Sequence, residues 1–445
     1  MARAPFRPLP RRALARSLRA ALLLCCAALA GPVFAQNDEK RPSKNEDDAS
    51  KLPIEEIRRY VNVYNVVKQA YVEPIEDRKL MQSAIRGLLL DLDPHSAYLP
   101  KPDADAFVED SDGAYDGIGV EVQQQPDGSI LVIAPIDDTP AAKAGVKAGD
   151  LIIAVDGKAL TPEIADGNPL RGAPGTKTVL TVQREGAPKP LQITVQRETI
   201  RVGSVRGRML EPGYGYIRVS AFQADTAKDF NAQLLKLQTE AAGKGLRGLV
   251  LDLRSNPGGL LTSAVQIADD LLEKGKIVST RGRISLGDAE FNATPGDLLR
   301  GAPLAVVIDA GSASASEVLA AALRDNQRAT LVGSRTFGKG SVQTVLPLDN
   351  GDSVKLTTAR YYTPSGKSIQ ARGIDPDVLL KPDATVKGAR SDISEAGLPG
   401  HLRGDQEAAG VGNGDVLEGD APIAAALQQL KKTVAALPDA QPERR

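Results

Sequence analysis

The sequence predicts an α+β multidomain protein: an α/β body, a smaller β-rich domain ahead of it, and helices on both flanks. Three patterns predict this. From about Arg201 to Pro382, apolar strand-like runs alternate with helical ones, which argues α/β architecture. From about Gly113 to Thr199, short strands and turns replace that rhythm. At the two ends, apolar residues recur at helical spacing. The 445 residues suffice for several domains at roughly 100–200 residues each.

The first 35 residues carry six arginines (3, 7, 11, 12, 16 and 19) and no acid. The apolar run Ala20–Ala30 follows, then Gly-Pro-Val-Phe-Ala ending at Ala35. That order predicts a cleavable signal peptide over 1–35, because the run falls short of the roughly 20 apolar residues a membrane span needs; an uncleaved N-terminal anchor is the other reading. Both cysteines, Cys25 and Cys26, lie in this segment. The mature chain is therefore expected to have no disulfide, no thiolate nucleophile and no Cys-ligated metal. Residues 36–50 are polar and charged and read as a tether.

Ile57, Val61, Tyr64, Val67 and Tyr71 predict an amphipathic helix over Ile54–Val72, with a second over Arg78–Leu90, in a helical region 51–112. In 113–199, strands are expected after Gly117-Ile-Gly-Val120, at Ser129–Ile133 and at Leu151–Val155, with a closing hairpin of Val179–Val182 and Leu191–Val195. In 200–385, Arg247–Leu253, Leu304–Ile308 and Thr330–Val332 are expected strands. Residues 386–420, rich in Gly, Asp and Glu, read as a linker, and Ile423, Leu427, Leu430, Val434 and Leu437 as the stripe of a terminal helix in 421–445.

Composition excludes some functions. Lys and Arg total 55 against 56 Asp and Glu, Trp is absent and aromatics are 4%. Neither a basic surface nor a base-stacking platform supports nucleic-acid binding. Only two histidines occur, His95 and His401, so a His-rich metal site is excluded and imidazole bases are scarce.

Ser314 lies where the strand Leu304–Ile308 gives way to a helical run, among small residues. The amide of Ala315 would face an oxyanion at the helix N-terminus. Ser314-Ala-Ser-Glu317 is equally a capping box, and Ser312 and Ser316 are rival nucleophiles. With His95 distant in sequence, a neutral lysine is the alternative base, and Lys339 in its Gly-Lys-Gly turn qualifies if desolvated. Gln343 stands four residues on and could orient the amine; a plain exposed turn lysine is the other reading. The turn Ser255–Gly259 offers further free amides, and Gly117-Ile118-Gly119-Val120 either holds a terminal carboxylate, with the next strand accepting an extended peptide, or is a hairpin turn.

Taken together, Gly311-Ser-Ala-Ser-Ala-Ser-Glu317, Thr336-Phe-Gly-Lys-Gly340, Tyr362-Thr-Pro-Ser-Gly-Lys-Ser-Ile-Gln370, Asp252-Leu-Arg-Ser-Asn-Pro-Gly-Gly259 and Leu92-Asp-Pro-His-Ser96 resemble the C-terminal processing peptidases, or tail-specific proteases, over about Ile54–Leu402. The resemblance implies a crotonase/ClpP-like α/β protease body with an inserted PDZ domain at 113–199. It implies Ser314 as nucleophile and Lys339, 25 residues later, as base, with Gln343 positioning the lysine. Ala315 and a glycine of the Pro257-Gly-Gly turn, Gly258 by preference with Gly259 the alternative, would form the oxyanion hole. Gly117, Ile118, Gly119 and Val120 would hold the substrate's terminal carboxylate, and Arg171 would couple peptide binding to the active site. No metal or cofactor is implied. The implied partners are protein substrates bound by their tails, a second copy of the chain through the terminal helices, and, as in some relatives, a lipoprotein adaptor that nothing in this sequence reports. With the export signal, the resemblance implies a bacterial periplasm. A catalytically silent PDZ scaffold, a crotonase-type acyl-CoA enzyme and a small-substrate amidase are the rival classes.

Overall fold

Two runs, Gly248–Asp252 and Leu304–Ile308, are buried at every position. A strand apolar on both faces must lie inside a sheet covered on both sides, which is the environment of parallel strands. The computed structural model places them so; it describes residues 52–166, 168–241, 245–284, 287–382, 394–405 and 413–436. The expected signal peptide and tether lie outside the described residues. No helix among those described is long and apolar enough to cross a membrane.

The chain divides after Pro74 into two compact units. In the first, the helix Ile54–Ala70 buries none of its residues. Ile57, Val61, Val63 and Val66 are exposed along it.

In the second unit, the body's main sheet runs in the order Val205–Glu211, Tyr214–Val219, Gly248–Asp252, Leu304–Ile308, Ala329–Gly333, Val378–Leu379. The first pair is antiparallel and the rest are parallel. Alternate residues of the central strands feed two cores. Leu249, Leu251, Leu304, Val306 and Ile308 pack with residues of the helices Thr226–Glu240, Leu261–Leu271 and Ala315–Asp325. Val250, Ala305 and Val307 face the other way, onto Ile423, Ala426 and Leu430 of the helix Ala421–Ala436. The terminal helix, expected above to join a second copy of the chain, thus has a partner within its own body: its stripe covers the sheet's second face, which would otherwise be bare. Leu437 of the stripe lies outside the described residues.

A second, antiparallel sheet pairs Ser353–Tyr362 with Ala97–Leu99, Gly275–Gly282 and Ser341–Pro347. The segment 386–420 is also more than a linker where it is described. Glu395 is fully buried, and Leu417 is buried as well. Arg254, held by Asp252 at 2.7 Å, donates to the carbonyls of Leu417 and Gly419. Burial pushes the Asp252 carboxyl up, but the bonds and charge of Arg254 outweigh it and hold it below the usual carboxylate range.

The smaller domain is a sheet in the order Val120–Gln124, Ile130–Pro135, Leu151–Val155, Lys177–Gln183, Leu191–Gln196, closed over a core that includes Ile118, Val132, Ile152, Leu180 and Val182. The expected hairpin is its last pair. The chain enters and leaves this domain through one antiparallel ribbon, Ala114–Gly117 with Glu198–Arg201.

Candidate active site

The strand Leu304–Ile308 ends on a turn that opens directly into the helix Ala315–Asp325, with Ser314 as N-cap at φ 54° and ψ −114°. A serine at positive φ is strained, and such strain collects at functional sites. Neighbours without bulk make the turn possible. A Cβ added to Gly258 would lie 2.9 Å from Ser314 Cβ and 2.9 Å from the Ala313 carbonyl, and one on Gly311 would lie 2.7 Å from Ser255 Cα.

The three serines of the run have different partners. Ser312 Oγ donates to the Leu253 carbonyl at 2.8 Å, and Ser316 Oγ to that of Asn256 at 3.0 Å. Both are fully buried structural links. The Ser314 hydroxyl instead meets the phenol of Tyr361, whose pKa burial pushes up to about 12.

Glu317, one turn into the same helix and fully buried, joins Ser314 to Lys339. Its Oε2 accepts the Ser314 amide at 2.8 Å and the Lys339 amide at 2.9 Å. Its Oε1 accepts the Gly338 amide at 2.8 Å and Thr336 Oγ1 at 2.5 Å. Burial drives this carboxyl up to about 7 against the pull of those four donors. The capping box foreseen in sequence is therefore present, and the Glu317 carboxylate accepts the Ser314 amide as its acidic half. The same bond brings the two predicted catalytic residues together.

Lys339 is half-buried. Burial first, then the charge of Lys355, lowers its pKa; Glu395, Glu317 and Asp93 oppose this. The orienting role expected of Gln343 is not seen as a direct contact. Its amide nitrogen donates to Ser341 Oγ at 3.0 Å and Thr357 Oγ1 at 3.1 Å, and it makes no bond to Lys339 among the described residues. Thr357 in turn donates to Asp93 at 3.1 Å, so Gln343 reaches the surroundings of the lysine through intermediates.

The Ala315 amide has no acceptor among the described residues, as expected of a first helical N–H. Gly258 lies beside Ser314 but its N–H already donates to Asn256 Oδ1 at 2.9 Å. It would have to exchange that bond to serve a substrate oxygen. The Gly259 N–H has no acceptor among the described residues.

In the small domain, the carbonyls of Ile118 and Gly119 accept from Ala141 and Ile136, while their own amides have no acceptor among the described residues. Gly119 sits at φ 79°, where a Cβ would meet Thr139 at 2.4 Å. Among the described residues, the following strand Val120–Gln124 pairs on one side only, leaving an edge that can take an added strand. These residues and Arg171 line one cleft of about 130 Å³. Arg171 lies 3.9 Å over the Tyr115 ring and donates to Glu109 Oε2 at 2.6 Å.

Sequence reasoning missed the surroundings of the lysine. His95 Nε2 lies 2.8 Å from Glu395 Oε2, and Gln370 donates to the other oxygen of Glu395 at 2.7 Å. His95 and Gln370 were visible inside notable motifs, but Glu395 carried no local signal in an apparently loose segment.

The chain matches the model of peptidase family S41 over residues 213–380, a PDZ domain model over 131–184, and the model described as the activating protease CtpB N-terminal domain over 27–102. It is 44% identical, over 79% of its length and 82% of the relative's, to a carboxy-terminal-processing protease of Bartonella bacilliformis. It is 36% identical to the carboxy-terminal processing protease CtpA of Bacillus subtilis over 71% of this chain and 67% of that one. Among solved structures, it is similar to a photosystem II D1 C-terminal processing protease at 31% identity, covering 72% of this chain and 92% of that one with a TM-score of 0.43.

Proposed function

The chain belongs to the carboxy-terminal processing proteases of peptidase family S41, and from that premise we propose that it cuts proteins near their C-termini with Ser314 as nucleophile and Lys339 as base. The observation that carries this is the single Glu317 oxygen that takes the amides of both residues. In the proposed reaction, Ser314 Oγ forms a bond to the peptide carbonyl carbon as its proton passes to the neutral Lys339 amine. The oxyanion turns toward the Ala315 amide. The C–N bond then breaks as the lysine returns the proton to the leaving amine, and water releases the acyl group by the same steps. Burial of Lys339 supports this role, because an ammonium cannot accept the proton.

The open edge of Val120–Gln124 and the unpaired amides of Ile118 and Gly119 support reading a substrate tail by strand addition, its carboxylate at the loop and beside Arg171. The helix-flanked parallel sheet supports the crotonase/ClpP-like description of the body. The arginine-rich start with its apolar run supports export to the periplasm. The exposed apolar side chains of Ile54–Ala70 support self-association through the N-terminal helix. Light scattering on protein beginning at Gln36 is expected to give a mass above that of one chain.

The test is intact-mass analysis of a protein with an unstructured apolar tail, incubated with the enzyme, Ser314→Ala and Lys339→Ala. Truncation from the C-terminus by the unsubstituted protein alone is expected. Equal truncation by all three refutes the dyad.

A further inference from the structure

Behind Lys339, three segments far apart in sequence converge on one buried acid. Glu395 is fully buried and has no arginine or lysine ion pair among the described residues. Its Oε2 faces His95 Nε2 at 2.8 Å, and its Oε1 accepts from Gln370 Nε2 at 2.7 Å. Gln370 Oε1 accepts the Gly340 amide at 2.9 Å, while Glu395's own amide donates to the Phe337 carbonyl at 3.1 Å. The turn 337–340 is thus held at both ends by Glu395 and its partner Gln370. Gly340 leaves no room for another arrangement: a Cβ there would lie 2.2 Å from Gln370 N.

The charge needs a reason beyond these bonds. Burying a carboxylate is expensive, and a glutamine could accept from Gln370 equally well. A negative charge is useful here only toward a cation. The groups in reach that can carry a positive charge are the imidazole of His95, on the loop before Ala97–Leu99, and the Lys339 amine. The other charged groups acting on that amine are Lys355 of the strand Ser353–Tyr362, Glu317 of the nucleophile helix, and Asp93.

We propose that Glu395, anchored by His95, is a positioning residue for Lys339: it fixes the turn that carries the lysine and supplies the charge that poises the amine for proton transfer. This rests on the reading of Lys339 as base.

The experiment measures kcat and KM for a chromogenic tail peptide across pH, with Glu395→Gln, Glu395→Asp and Lys339→Ala in the otherwise unchanged chain, together with melting curves. Glu395→Gln keeps the size and an acceptor but removes the charge. The lysine then sheds its proton more readily, so the acid limb of kcat/KM moves to lower pH. With less negative charge to hold the proton it takes, the amine is a weaker base, and kcat falls by between about 10- and 100-fold while KM stays level. Glu395→Asp keeps the charge; its limb stays in place while kcat falls. A Glu395→Gln limb and kcat that superimpose on the unsubstituted enzyme overturn the proposal, as does a lower melting temperature with kcat unchanged. A displaced limb in Glu395→Asp overturns it too. Should Lys339→Ala retain full activity, the base assignment falls and this proposal with it. Should Lys339→Ala be inactive while Glu395→Gln is unchanged, this proposal alone falls.

Discussion

Ser314 and Lys339 each sit in a state their residue type resists. The serine is held at positive φ, and the lysine is held where burial disfavours its charge. For the lysine, the cost has a sign that can be measured. Its folded-state pKa lies below the ordinary 10.5, so between the two values the unfolded chain binds the extra proton and stability rises with pH. Lys339→Met removes this penalty. The variant is expected to melt higher than the parent at neutral pH, the gap closing as pH climbs toward the ordinary lysine value. Calorimetry across pH checks this, and a gap independent of pH refutes the desolvated-lysine account. The same lowered pKa means that activity rises with pH through a limb below the ordinary lysine range.

At the scale of elements, the site is a joint between the N-terminus of the helix Ala315–Asp325 and the turn 336–340, and Glu317 is the pin. Four donors converge on its carboxylate. Glu317→Ala strands them in a buried space and is expected to cost at least about 4 kcal/mol, since each of the four unmet buried donors costs about 1–3 kcal/mol. Because those donors carry both Ser314 and Lys339, activity should fall further than the folded fraction. Chemical denaturation beside turnover of the folded protein separates the two effects. Activity per folded molecule equal to the parent would mean that the pin has no part in alignment. Gly258→Ala probes the other wall. At φ 104° with only 2.9 Å to Ser314 Cβ, an added methyl must displace the serine, and proteolysis should drop at least tenfold in the tail assay, consistent with the cost of misplacing a reacting group.

Over the whole molecule, the proposed function assigns tail reading and cutting to separate parts, joined by the ribbon Ala114–Gly117 with Glu198–Arg201. Arg171 sits at that joint. It lines the tail cleft yet is paired with Glu109 of the preceding helix, Lys101–Asp112. A substrate carboxylate would compete for the guanidinium with Glu109. Arg171→Ala is expected to weaken tail-peptide binding about tenfold, the worth of one charge-assisted bond, and Glu109→Ala to tighten it. Fluorescence anisotropy with Ser314→Ala as the binding host reads both. Opposite shifts support the competition, and no change in either variant removes Arg171 from tail recognition.

Much of this was legible along the chain, because some signals are local. The central strands announced themselves as continuous apolar runs, and Leu151–Val155 and Leu304–Ile308 fell where expected. Ser314, Ala315 and Lys339 were legible as small-residue and Gly-flanked turns at the ends of such strands. Other features depend on partners far away in sequence. The strands Gly275–Gly282, Ser341–Pro347 and Ser353–Tyr362 are half-exposed and show little periodicity until they pair. The terminal helix displayed an apolar stripe but not its target, which exists only once the sheet presents Val250, Ala305 and Val307 on one face. Glu395 looked like one more acid in a polar stretch. Residue type and local pattern thus determined where the strands end and which side chains could react. Tertiary structure alone decided which hydroxyl is free of backbone carbonyls, which amides remain unpaired and which acids surround the lysine, because burial and charge at a point are set by every segment that meets there.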